Sequence, residues 1–141
     1  MSESARATEV LDQEYLKALV AIKSYVPEDA MTAGLLGTER TGHGVRIRDD
    51  GLIVTIGYLV NEAQEIWVTT DDGLSSPAFV VGNDFRSGLA LIRPTMVLDG
   101  PSLPLAARDV LKIGEAVILA GSAGAEPQVI EAEVVARQEF A

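Results

Sequence analysis

The chain contains no cysteine, which excludes disulfides, thiolate nucleophiles and cysteine-ligated zinc or iron–sulfur sites. Its only histidine is His43, so metal chemistry also loses its usual nitrogen donors. Cations are scarce: eleven Lys and Arg stand against twenty-one Asp and Glu, for a net charge of -10. Such a field repels phosphate backbones and anionic lipid over a Debye length of about 10 Å, so neither nucleic acid nor a membrane surface is expected as a partner. No segment reaches the roughly 18 consecutive apolar residues of a spanning helix. The opening run from Met1 to Glu9 has no basic stretch followed by an apolar one, as a secretory signal would. The expectation from that start, taken as native, is a chain that stays in the cytoplasm.

What is present reads as an ordinary globular chain. Hydrophobic residues make up 48% and charged ones 23% of the 141 residues, near the averages for soluble domains. The length suits one domain, or one and a fragment.

The periodicity is mainly that of short strands. Thr8 to Lys17 carries apolar Val10, Leu11, Tyr15 and Leu16 at mixed three and four spacings, which predicts a short amphipathic helix. Leu19 to Val26 is β-like and ends at Pro27, which lacks the amide hydrogen a ladder needs. Glu28 to Arg40 has little periodicity and reads as a loop with a helical turn near Asp29 to Leu36. Two devices of the same kind follow. Gly44 to Arg48 and Leu52 to Ile56 flank the turn Asp49-Asp50-Gly51. Glu65 to Thr70 and Ala78 to Val81 flank Asp71-Asp72-Gly73, and Gly88 to Arg93 adds another strand. Asp-Gly between apolar runs is a strong hairpin signal because both residues tolerate positive φ. Pro94, Gly100, Pro101 and Pro104 then break any ladder. Ala116 to Ala120 and Val129 to Val135 give two last strands around a loop from Gly121 to Gln128. Strands at such spacing imply an antiparallel barrel or sandwich.

In order, these motifs resemble the protease domain of trypsin-like serine peptidases, nearest to the bacterial HtrA (Deg) type. The runs that carry the resemblance are Gly42-His43-Gly44-Val45, Thr55-Ile56-Gly57-Tyr58-Leu59-Val60, Asp84-Phe85-Arg86-Ser87-Gly88-Leu89-Ala90-Leu91-Ile92, and Ile113-Gly114-Glu115-Ala116-Val117-Ile118-Leu119-Ala120-Gly121. The resemblance implies a mainly β fold: a six-stranded antiparallel barrel, the first lobe of the protease, with a short N-terminal helix and a hairpin from the start of a second lobe. It divides the chain into a helical segment 1–18, the barrel 19–93, a linker 94–112 and the hairpin 113–141. It also implies that the periplasm is an alternative compartment.

The departures bear on chemistry. In the family the position of Tyr58 holds the histidine base, and that of Gly88 holds the aspartate that orients it. The nucleophile segment Gly-x-Ser-Gly-Gly does not occur in the chain. A serine hydroxyl becomes a useful nucleophile only when a base about 3 Å away accepts its proton. Tyrosine, with an ordinary pKa near 10, is a poor substitute, and glycine supplies no carboxylate. The resemblance therefore implies a protein with no catalytic residues of its own, a pseudoprotease that binds a protein or peptide partner or regulates a protease. The alternative is a piece of a trypsin-like endopeptidase whose activity needs residues or chains not present here.

Other candidate sites carry less. His43 has no second His or Cys to share a metal with. Asp49, Asp50, Asp71 and Asp72 lack the alternating oxygen ligands of a calcium loop and read as turn residues. Glu62, Glu65, Asp84 and Glu115 show no pair spacing that would mark an acid and a base. Gly82, Gly121 and Gly124 form no phosphate loop, and Ser122 falls where the family opens its second lobe. No cofactor and no metal are expected. An isolated hairpin is marginal in water, so the last two strands are expected to pack on the barrel or to mediate a homo-oligomer.

Overall fold

A computed structural model describes residues 13–123 and 126–138. Of the expected helix from Thr8 to Lys17, residues 8–12 lie outside the described residues, and the rest opens with α1 (Gln13–Leu16). The order thereafter is β1 (Leu19–Tyr25), α2 (Ala33–Leu36), β2 (Glu39–Arg46), β3 (Ile53–Ile56), α3 (Gly57–Val60), β4 (Glu65–Thr69), β5 (Ser75–Asp84), β6 (Leu89–Pro94), β7 (Ala116–Ala123) and β8 (Glu126–Glu133). The first six strands close a barrel in the order β1-β2-β3-β6-β5-β4, every pair antiparallel, and β7 and β8 form a separate two-stranded sheet.

Alternation explains why these strands close on themselves. In β1 the residues Val20, Ile22 and Ser24 point inward while Lys23 and Tyr25 point out. In β4, Ile66 and Val68 are buried between exposed Glu65 and Trp67. The inward residues meet as one core of Val20, Ile22, Ile53, Leu59, Val60, Ile66, Val68, Ala90 and Ile92. Where β2 crosses β1 and β3, Gly44 lets the backbones approach, since a Cβ there would lie 2.7 Å from Ile53 Cγ2 and 2.8 Å from Ile22 Cδ1.

Three expectations are corrected. The strand expected from Gly44 begins at Glu39, because Tyr25 to Leu19 supply an antiparallel partner for all of Glu39 to Val45. The strand expected over Ala78 to Val81 runs through ten residues with a bulge between Val80 and Gly82. The loop expected from Gly121 to Gln128 is mostly ladder, with Gly121 paired to Gln128, Ser122 to Pro127 and Ala123 to Glu126. Its small residues, read as a turn, accept the extended backbone because pairing within the hairpin satisfies their amides.

The segment after β6 folds back onto the barrel. Leu98 packs against the core, the Leu103 amide donates to the Arg46 carbonyl, and an Arg46 guanidinium nitrogen donates to the Pro101 carbonyl at 3.0 Å. Arg46 is buried there, and desolvation lowers its pKa while Asp71, Asp72 and Asp99 oppose the shift. The hairpin β7–β8 rests on the outside of β1 and β2. Its Val129, with Ile118 and Ala120, packs on Leu16, Leu19 and Val45 in a second, smaller cluster.

Candidate functional site

The barrel brings the two positions singled out in the sequence together. β3 and β6 are neighbours, with Ile56 registered to Leu89. One residue beyond each end of that pair, the Gly57 amide donates to the Gly88 carbonyl at 2.7 Å. Tyr58, the next residue, lies in the single turn of α3 that closes when the Asn61 amide donates to the Gly57 carbonyl. The strand expected over Leu52 to Ile56 ends at Ile56, immediately before this turn. The helical turn arises because Gly57, Leu59 and Val60 must all bury at the barrel end, which a straight strand cannot do.

Tyr58 is 39% exposed, and its ring lies over the guanidinium of Arg40 with 5.3 Å from Cζ to the ring centroid. Arg40 itself is only 1% exposed. It donates to the carbonyls of Tyr58 at 2.8 Å and Asn61 at 3.2 Å, and to the Thr32 hydroxyl at 2.7 Å. Its Nε finds no acceptor among the described residues. A buried guanidinium stands where its donors are met and an opposite charge or a π face stabilises it. The Tyr58 ring supplies the π face, and the Arg40 charge is felt by the Glu62 carboxylate. That carboxylate accepts the amides of Met31 and Thr32, and the Thr32 side chain, those amides and the Arg40 charge hold its pKa below the ordinary range. Glu62 adopts φ +60° to reach them. Arg40, Thr32 and Glu62 thus tie the β1–β2 loop to α3 beneath Tyr58.

On the β5–β6 side, Gly88 has φ +78°, and a Cβ there would meet nothing within 4 Å. The nearby Asp84 carboxylate is engaged within its own turn, accepting the Ser87 hydroxyl and the Arg86 amide. These bonds, the Ser87 hydroxyl first, hold its pKa low. The Asn83 amide nitrogen donates to Asn61 Oδ1 at 2.7 Å, bracing α3 against β5.

The other candidates sit apart from one another. His43 lies mid-strand in β2 on the outside of the barrel, paired with Ala21, and its ring covers Gly121 of β7. Asp50 bonds to Arg48, Arg93 and the Leu52 amide, Asp49 accepts the Ser102 hydroxyl, and Asp72 accepts the Thr70 hydroxyl. Glu115 accepts the Lys112 amide. Ser122 belongs to β7, and Gly124 lies outside the described residues. Among the described residues no three His, Asp or Glu side chains could share a metal ion.

A profile of the trypsin-like peptidase domain matches residues 42–140. The chain belongs to the trypsin-like peptidase family. Its relatives include the serine endoprotease DegS of Escherichia coli K12, 33% identical over 81 residues that cover 57% of this chain and 23% of the relative. A probable periplasmic serine endoprotease, DegP-like, of Pseudomonas fulva is 35% identical over 69% of this chain and 21% of its own length. A similar DegP-like protein of Pseudomonas putida F1 is 37% identical over 57% and 17%. The chain is thus a trypsin-like domain of the HtrA type that spans about a fifth of the length of these relatives.

Arg40, Asn61 and Asn83 carry no signal in the sequence, and Glu62, weighed there only as a possible paired carboxylate, instead accepts the Met31 and Thr32 amides. Arg40 follows Glu39 in a polar stretch that offers no hint of burial. Only the inward phase of β2, with Arg40, Gly44 and Arg46 on one side, would have shown it.

Proposed function

We propose that this domain is catalytically silent and acts by binding, as a trypsin-like module that engages a protein or peptide partner or regulates a protease. The observation that carries the reading is the 2.7 Å bond from Gly57 to Gly88. It brings Tyr58 and Gly88 to adjacent strand ends, and these are the residues that motif order assigns to the family's base and orienting acid, a phenol and no side chain at all. A phenol with an ordinary pKa near 10 accepts a proton poorly at neutral pH. Its ring is also committed to a buried cation, which favours the face-on stacked position over one directed at a substrate. Asp84, the acidic side chain next along β5, is already occupied by Ser87 and Arg86. Fluorescein-labelled casein and a nitrophenyl ester, offered to the unaltered chain, are expected to turn over no faster than in buffer. Turnover in proportion to protein concentration contradicts the reading.

The chain's coverage of about a fifth of relatives named serine endoproteases favours a second reading, in which chemistry resides in a larger protein and depends on residues supplied elsewhere. That reading predicts an activity of the larger protein that is lost when this domain is removed.

The hairpin also supports self-association. Leu119 and Ile130 are registered partners, each 53% exposed, on strands whose other residues hold the barrel. Two copies laid hairpin to hairpin would cover them.

A further inference from the structure

The β4–β5 ladder ends at Trp67 and Pro77, which face each other across the strands. Beyond that pair the two strands part: β4, paired with β1 along its whole length, continues with β1 alone, and β5 takes up β6 from Ala78. The gap is a groove of about 370 Å³ whose lining includes Trp67, Pro77, Phe79, Val80 and Glu65, with Ala63 and Ala78 packed against the core. Trp67 is 38% exposed and Phe79 47%, large apolar side chains on the outer face of a barrel that buries its own core elsewhere. The Trp67 indole N–H has no acceptor among the described residues.

Charge narrows the occupant. Of the ionised groups around this face, Lys23 is paired with Glu39 at 3.0 Å, and Arg93, the cross-strand neighbour of Phe79, is paired with Asp50 at 3.1 Å. Glu65 has no cationic partner among the described residues. The whole chain adds a net charge of -10, which disfavours an acidic occupant or a second copy. An aromatic-walled groove with a free indole donor and a free carboxylate is suited to a polyproline II segment. Its rings stack flat on aromatic faces, its carbonyls are unused, and its preformed backbone loses little entropy on binding.

We propose that this groove binds a proline-rich peptide bearing an Arg or Lys at one end. The prolines pack between Trp67 and Phe79, a peptide carbonyl accepts from the Trp67 indole, and the cation meets Glu65. The proposal rests on the partner-binding reading above and gives that partner a chemistry.

Trp67 is the only tryptophan, so its fluorescence reports the groove alone. The test is a titration of the chain with the amidated peptide Arg-Pro-Leu-Pro-Pro-Leu-Pro, with a second peptide carrying Val in place of each Pro, and with a Gly-Ser peptide of equal length bearing one Arg. The proline peptide is expected to give a saturable blue shift that neither of the others gives. Phe79→Ala is expected to weaken it about fivefold or more, and Glu65→Gln about two- to fivefold with a loss of salt dependence. Both side chains are exposed, so both variants should keep the parent melting curve. No response to the proline peptide overturns the proposal, while leaving the reading of catalytic silence to the casein assay. An equal or stronger response to the valine peptide also overturns it, because strand pairing is then the recognition. So does a shift that depends on protein concentration without peptide, because a second copy then fills the groove.

Discussion

At residue scale Tyr58 is held from beneath by a buried cation. The ring lies on a guanidinium that is 1% exposed and that joins the β1–β2 loop to α3 through Thr32, Tyr58 and Asn61. Removing that guanidinium leaves buried carbonyls unpaired, so Arg40→Ala should cost about 3 kcal/mol and lower Tm by roughly 10 °C in a thermal melt. Glu62 gives the same tie a pH dependence. Its folded pKa lies below the ordinary 4.5, so its contribution is fully present above that value and is lost as pH falls through the lower folded one. Glu62→Gln lacks the contribution at every pH. Its Tm should therefore fall less than that of the unaltered chain between pH 7 and pH 3, and equal falls would contradict this. Gly88 sits at φ +78° with open space where a Cβ would go, so Gly88→Asp should cost only about 1 kcal/mol, the penalty of the left-handed backbone. The double change Tyr58→His with Gly88→Asp is expected to fold and still to turn over no casein, since it supplies a base without a nucleophile.

At the scale of elements, period-2 alternation and Asp-Gly turns made the short antiparallel strands legible as a barrel or sandwich, and the resemblance to trypsin-like peptidases chose the six-stranded barrel that the structure shows. β4, bracketed by exposed Glu65 and the turn at Asp71-Asp72-Gly73, falls where its pattern puts it. Legibility failed where tertiary contacts decide the backbone. α3 turns because Leu59 and Val60 have a core to enter, and Gly121 extends because Gln128 lies opposite. Neither cause is local. The positions of Tyr58 and Gly88 came from motif order, but the guanidinium beneath the phenol came only from the fold. The hairpin shares no ladder with the barrel and is held by Leu16, Leu19 and Val129. Its amides should therefore exchange with deuterium sooner than those of β1, β3 and β6, and Val129→Asp should release them without loosening the barrel. Equal protection of hairpin and barrel would contradict that independence.

For the whole molecule, a net charge of -10 on 14.9 kDa sets how copies meet. If Leu119 and Ile130 bring two hairpins together, repulsion opposes them at low ionic strength and is screened at high. Light scattering should then show a mass that rises above 14.9 kDa with added salt, and a monomer at every salt concentration would remove the association. The domain keeps the trypsin-like barrel, and the positions that motif order assigns to the triad hold, in the proposed reading, a phenol stacked on a buried cation and a bare backbone. Catalytic silence is tested most directly by a reagent that reports an activated serine without needing the right substrate. Incubated with diisopropyl fluorophosphate and weighed as the intact chain, the protein should gain no phosphoryl adduct. One adduct per chain, formed only by the folded protein, would show an activated hydroxyl and contradict the account.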